Sequence, residues 1–172
     1  MDVTEDDIVK AVEYEQVITY LAGYCCFTVS KKMKCGLCKE LITYNEDTEN
    51  LPDNHNYIQG ISRGGLLYPI DAVVNIILYN YIVISKLTEN PEFSKFPNHR
   101  NVATEMSLNV LLDNDALLPM NNCDNGHSTD KLQRMLLWAS TNALLNNFCV
   151  KENDLINQSK TSAKKRKLQT LT

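Results

Sequence analysis

Glycine and proline are scarce, 6 and 5 in 172 residues. With several long apolar-periodic stretches, that shortage favours a helical fold. No run of about 20 apolar residues is available to span a bilayer; the most apolar stretch, Val73 to Ile84, is interrupted by Asn75 and Asn80. The N-terminus, Met1 to Asp7, is acidic where a secretory signal is basic and then apolar, and it lacks the arginine of a transit peptide. The expectation is a soluble intracellular chain whose six cysteines are reduced or metal-bound rather than paired. Neither G-x-G-x-x-G nor G-x-x-x-x-G-K-S/T occurs, so Arg63-Gly64-Gly65 reads as a tight turn rather than a phosphate cradle. No nucleophile stands in a recognisable elbow or beside an evident base. Neither a small-molecule substrate nor a membrane partner is expected.

What is present is ordinary globular material: 44% hydrophobic and 22% charged residues. The net charge of -4 is unevenly spread. Residues 1–150 hold 11 basic against 19 acidic side chains, whereas residues 151–172 hold 6 against 2. The body is acidic and the tail basic. Residues 1–156 are read as one domain and residues 157–172 as a basic, unstructured tail with too little apolar surface to fold. Lys164-Lys165-Arg166-Lys167 fits a monopartite nuclear import signal, with a solvated charge run as the bland alternative.

Thr4 and Asp7 form a capping-box pattern. The apolar residues Ile8, Ala11, Val12, Val17, Ile18, Leu21, Ala22, Cys25 and Val29 then keep helical spacing, predicting a helix from residue 5 to about 30 with Lys31, Lys32 and Lys34 at its C-terminal dipole. Gly23 inside it marks close packing. Thr43 to Tyr57 reads as an exposed loop. Pro69 is placed in the first turn of a second helix, residues 69–87, apolar around most of its circumference and so buried. A third helix is expected from Asn101 to Asp113, and a fourth, capped by Ser128 or Thr129, runs to about Val150. The expected class is mainly α, a domain of about four helices.

Cys35-x2-Cys38 can bite one metal from a tight turn, and Cys123-x3-His127 can supply the remaining two tetrahedral positions. A closed Cys3His shell leaves no place for a catalytic water, so the metal expected is a structural zinc. The gap of 84 residues between the pairs requires the helices between them to fold back. Ordinary packed thiols, or a redox C-x-x-C, are the alternatives; a thioredoxin-like site would want a strand before the cysteines, where a helix is predicted. Cys25, Cys26 and Cys149 read as buried small hydrophobes. His55 and His99 read as surface histidines, either of which could stand in for His127.

Ile18 to Tyr24 ("ITYLAGY"), Lys34 to Cys38, Ser62 to Pro69 ("SRGGLLYP") and the Cys123/His127 pair before a long helix together resemble the C-terminal region of P-element-type and THAP9-like DNA transposases, over roughly residues 14–150. In that family the resemblance implies a zinc-dependent THAP DNA-binding domain, a coiled coil, an RNase H-like core whose acidic triad binds magnesium, an inserted GTP-binding region, and this C-terminal part. No motif around Asp71, Asp113 or Asp115 matches the triad. The chain is therefore expected to be catalytically inert, a truncated or domesticated C-terminal domain that assists assembly with a transposase core or homologous subunit. Weak contact with transposon-end DNA is expected through Lys31, Lys32, Lys34 and Arg63, limited by the acidic body. A zinc-stabilised helical interaction module without DNA binding is the rival. Nuclear localisation is expected.

Overall fold

The chain enters its first helix through reciprocal hydrogen bonds between Thr4 and Asp7. The Thr4 hydroxyl accepts from the Asp7 N–H at 3.2 Å, and the Asp7 carboxylate accepts from the Thr4 N–H at 2.8 Å, which satisfies two otherwise orphaned donors. The computed structural model describes residues 1–44, 67–119 and 122–146. Within them lie α1 (Glu5–Val12), α2 (Glu15–Met33), α3 (Gly36–Ile42), α4 (Asp71–Thr88), α5 (His99–Asp113) and α6, which covers residues 129–146; a 3-10 turn at Phe93–Lys95 leads into α5. The fold is mainly helical, as expected, and the described residues contain no strand. No helix among them is long and apolar enough to cross a membrane.

Three details differ from the expected arrangement. The helix expected over residues 5 to about 30 is two, because the chain turns at Glu13 and Tyr14. There the Tyr14 N–H donates to the Ala11 carbonyl at 2.9 Å, a tighter bond than the α-helical one. A short helix, α3, starts at the C-x2-C itself. Pro69 precedes α4 rather than sitting in its first turn: it pairs with Thr43 in an isolated antiparallel bridge, where the Tyr44 N–H donates to the Tyr68 carbonyl (2.8 Å) and the Ile70 N–H to the Ile42 carbonyl (3.0 Å). This pairing sets residues 42–44 beside residues 68–70.

Helix α4 is central because it is apolar on nearly every side. Val73, Ile76, Ile77 and Val83 are fully buried, each contributing about 1.5–3 kcal/mol relative to exposure. It packs against α1, α2 and α5. Helix α2 adds Ile18, Ala22, Cys25, Cys26 and Val29 to the same core, and α6 adds Leu132, Leu136 and Leu137. Gly23 is buried on α2, in keeping with a close-packed position.

One polar cluster lies inside this apolar interior. Asn80 of α4, fully buried, donates from Nδ2 to Ser140 Oγ (2.6 Å) and Thr141 Oγ1 (3.2 Å) of α6, while its Oδ1 accepts from Ser107 Oγ of α5 at 2.6 Å. Both ends of the amide are satisfied, so the cluster fixes how three helices sit against one another without stranding a buried polar group.

Candidate metal centre

The turn that ends α2 delivers the first pair of cysteines. Lys34 adopts a left-handed conformation (φ 51°), and its N–H caps the helix by donating to the Ser30 carbonyl at 3.0 Å. Cys35 then occupies the N-cap position of α3, and Cys38 lies in that helix's first turn. The second pair sits on a tight turn before α6. The Gly126 N–H donates to the Cys123 carbonyl at 2.9 Å, and Gly126 takes φ +81°, a conformation that favours glycine. Ser128 caps α6 by accepting from the Lys131 N–H at 3.1 Å.

The fold brings the two pairs together. The donor atoms of Cys35, Cys38, Cys123 and His127 all lie within 4.8 Å of one another. His127 Nδ1 stands 3.5 Å from Cys38 Sγ and 3.3 Å from Cys123 Sγ. Zinc with sulfur at about 2.3 Å and nitrogen at about 2.0 Å in a tetrahedron would separate S and N by about 3.5 Å. The cluster could hold a metal ion. Its three sulfurs are buried and the imidazole is half-buried, and four donors of this kind fill a tetrahedron, leaving no open position.

The electrostatics of the thiols point the same way. Cys35 is pulled down to about 6, chiefly by the backbone N–H of Cys38 and next by the Asn125 side chain, whose Nδ2 donates to Cys35 Sγ at 3.4 Å. Cys38 is pushed up to about 12, first by burial and then by the neighbouring sulfurs of Cys123 and Cys35. One thiolate is favoured and its crowded neighbour is held back. A divalent cation removes that conflict, because it supplies the positive charge that several close thiolates need.

The remaining candidates are placed elsewhere. Lys31, Lys32 and Lys34 are exposed where α2 ends. His99 begins α5, where its Nδ1 lies 3.0 Å from the Phe96 carbonyl and its ring meets Phe93 edge-on at 5.5 Å; it is not in the metal cluster. Cys25 and Cys26 are buried thiols that burial pushes up, Cys25 to about 12, and Cys26 donates to the Ile42 carbonyl at 3.5 Å. Asp71, Asp113 and Asp115 join no cluster of potential metal ligands among the described residues. Arg63, His55, Cys149, Lys164 to Lys167, the tail and the expected end of the last helix near Val150 lie outside the described residues. Asn125 went unnoticed in the sequence; its only signal was a place inside the Asp124-Asn125-Gly126 turn between two ligand candidates.

No curated protein and no solved structure matches the chain. A family model does: that of the C-terminal domain of DNA transposase THAP9, over residues 8–134. The match runs from within α1 to the first turns of α6 and includes all four clustered residues. The chain therefore belongs to the family of THAP9 DNA transposase C-terminal domains.

Proposed function

We propose that this chain works as a zinc-stapled helical domain of a P-element-like transposase, catalytically inert by itself, which docks on a transposase catalytic core or homologous subunit and helps it hold transposon-end DNA in the nucleus. The family match over residues 8–134 carries this reading. Zinc, held by Cys35, Cys38, Cys123 and His127, is supported by a donor set of three sulfurs and one imidazole within 4.8 Å of one another, two of whose nitrogen–sulfur distances suit a shared metal. When bound, the metal supplies a link between the α2–α3 turn and the loop before α6. A structural rather than catalytic role follows from the closed shell. Direct DNA contact through Lys31, Lys32, Lys34 and Arg63 remains weak beside an acidic body, and Lys164 to Lys167 serve nuclear import.

The second reading, an interaction module without DNA binding, is favoured by one observation. Val9, Val12, Val17, Tyr24 and Phe27 are exposed apolar residues on α1 and α2, a surface suited to another protein. One preparation tests both. The purified chain is assayed for metal and mixed with the separately expressed catalytic core, with and without labelled transposon-end DNA. About one zinc per chain is expected, lost in Cys35→Ser and His127→Ala together with cooperative unfolding. Capture of the core and firmer retention of end DNA support the first reading; capture without any effect on DNA supports the second. Full zinc retention in both variants removes the proposed metal site.

A further inference from the structure

The turn that ends α2 and the loop before α6, which the cluster brings together, adjoin two walls of a groove on the described surface. It has a volume of about 420 Å³ and lies between α2, α5 and α6. Val29, Met135 and Trp138 make it apolar, while Lys32, Lys131 and Arg134 bring positive charge to it. Trp138 is the sole tryptophan in the chain and is 37% exposed. An indole left open to water inside a groove is an available stacking face.

The charges facing this groove divide unequally. Its acidic groups, Glu105 of α5 and Asp130 of α6, are both held by Arg134, at 2.6 and 3.2 Å. Lys32 and Lys131 are exposed and make no ion pair among the described residues. Two uncommitted cations therefore stand on opposite walls, one on α2 and one on α6.

We propose that this groove takes an unpaired nucleotide of single-stranded DNA, with its base against Trp138 and its flanking phosphates on Lys32 and Lys131. A positive groove with aromatic side chains is the chemistry by which proteins hold single strands without reading their sequence. A duplex is a poor fit, because its bases are already stacked and cannot enter a recess of this size. The proposal rests on the transposase reading for its choice of DNA over an acidic peptide, and it adds Trp138 and Lys131 to the contacts expected from the sequence. It also gives the metal a part in binding. Lys32 lies three residues before Cys35 and Lys131 four after His127, so a metal held there would help to fix the spacing of the two walls, beside the apolar core that α2 and α6 share.

The test uses the purified zinc-loaded chain and a fluorescein-labelled oligothymidylate, followed by anisotropy at low salt. The oligothymidylate should bind more tightly than a blunt duplex of equal length. Trp138→Leu should weaken binding about ten-fold, while Trp138→Phe, which keeps a stacking face, should retain most of it. Lys32→Gln and Lys131→Gln, exposed changes that leave folding intact by circular dichroism, should each flatten the salt dependence by about 0.7 in log–log slope. Chelation should weaken binding as well. Equal affinity for duplex, indifference to Trp138→Leu, absence of binding, or displacement by polyglutamate as effective as by unlabelled oligothymidylate would each overturn it, the last in favour of an acidic peptide. Capture of the catalytic core and of end DNA is read separately, so either idea can fail without the other.

Discussion

Asp7 illustrates how much one side chain can be asked to do. It closes the capping box of α1 with Thr4 and also pairs with Lys86 of α4 at 2.7 Å, tying the N-terminal helix to the central one. Lys86, whose Nζ also donates to the Asp2 carbonyl at 2.8 Å, is the main reason that the Asp7 carboxyl falls from 3.8 to about 2; the Thr4 hydrogen bonds are the next. A carboxyl with a lowered folded-state value stabilises the fold above its unfolded value, and that contribution is lost as pH falls through the folded one. Asp7→Asn is therefore expected to lower Tm at neutral pH, with the difference from the parent shrinking below 3.8 and gone near 2. Thermal melts across that range check it, and a pH-independent difference would show that the pair contributes nothing through charge. At this scale the four residues that cluster were legible, since C-x2-C and C-x3-H are the local spacings at which side chains can share one metal. Asn125 was not, because nothing in a sequence says which way a turn amide will face.

Among the elements, the break between α1 and α2 was hidden for a specific reason. Ala11, Ile18, Ala22, Cys25 and Val29 lie on the core side both before and after the turn at Tyr14. Seven and eleven residues are close to two and three helical turns, so the apolar phase runs through the break unchanged. Periodicity detects a face, and here the face continues although the hydrogen bonds do not. Tyr14 instead meets Tyr81 of α4, with ring centroids 5.9 Å apart. Pro69 misled in the opposite sense, since a proline shortly before an apolar helix fits its first turn as well as the bridge it actually makes with Thr43. Asn80 seemed only an interruption in an apolar run. Asn80→Ala would leave the Ser107 and Ser140 hydroxyls short of a partner and open a small cavity among α4, α5 and α6. A loss of about 3 kcal/mol is expected in urea denaturation, and a loss below about 1 kcal/mol would mean that the cluster is dispensable.

For the whole molecule, the long-range contact that matters most joins residues 35 and 38 to residues 123 and 127. The apolar helices between them made such a return plausible from the sequence, and α4 at the centre is what accomplishes it. The antiparallel pairing of Thr43 with Pro69 performs a smaller version of the same closure inside it. A metal held at the mouth of so large a loop would have a mechanical meaning. With zinc bound, tension applied to the two ends of the chain would, once α1, α2 and α6 are pulled away, pass across the cluster, so the 84 residues between Cys38 and Cys123 would be shielded from the pull. That hidden length is roughly 300 Å when extended. In an optical trap the zinc-loaded chain should lengthen short of its full contour by about that amount until the clasp ruptures, and chelator should restore the missing extension. Identical extension with and without chelator would show that no metal spans the loop. A domain clasped this way would give up its ends to force while the chain inside the loop bears no tension.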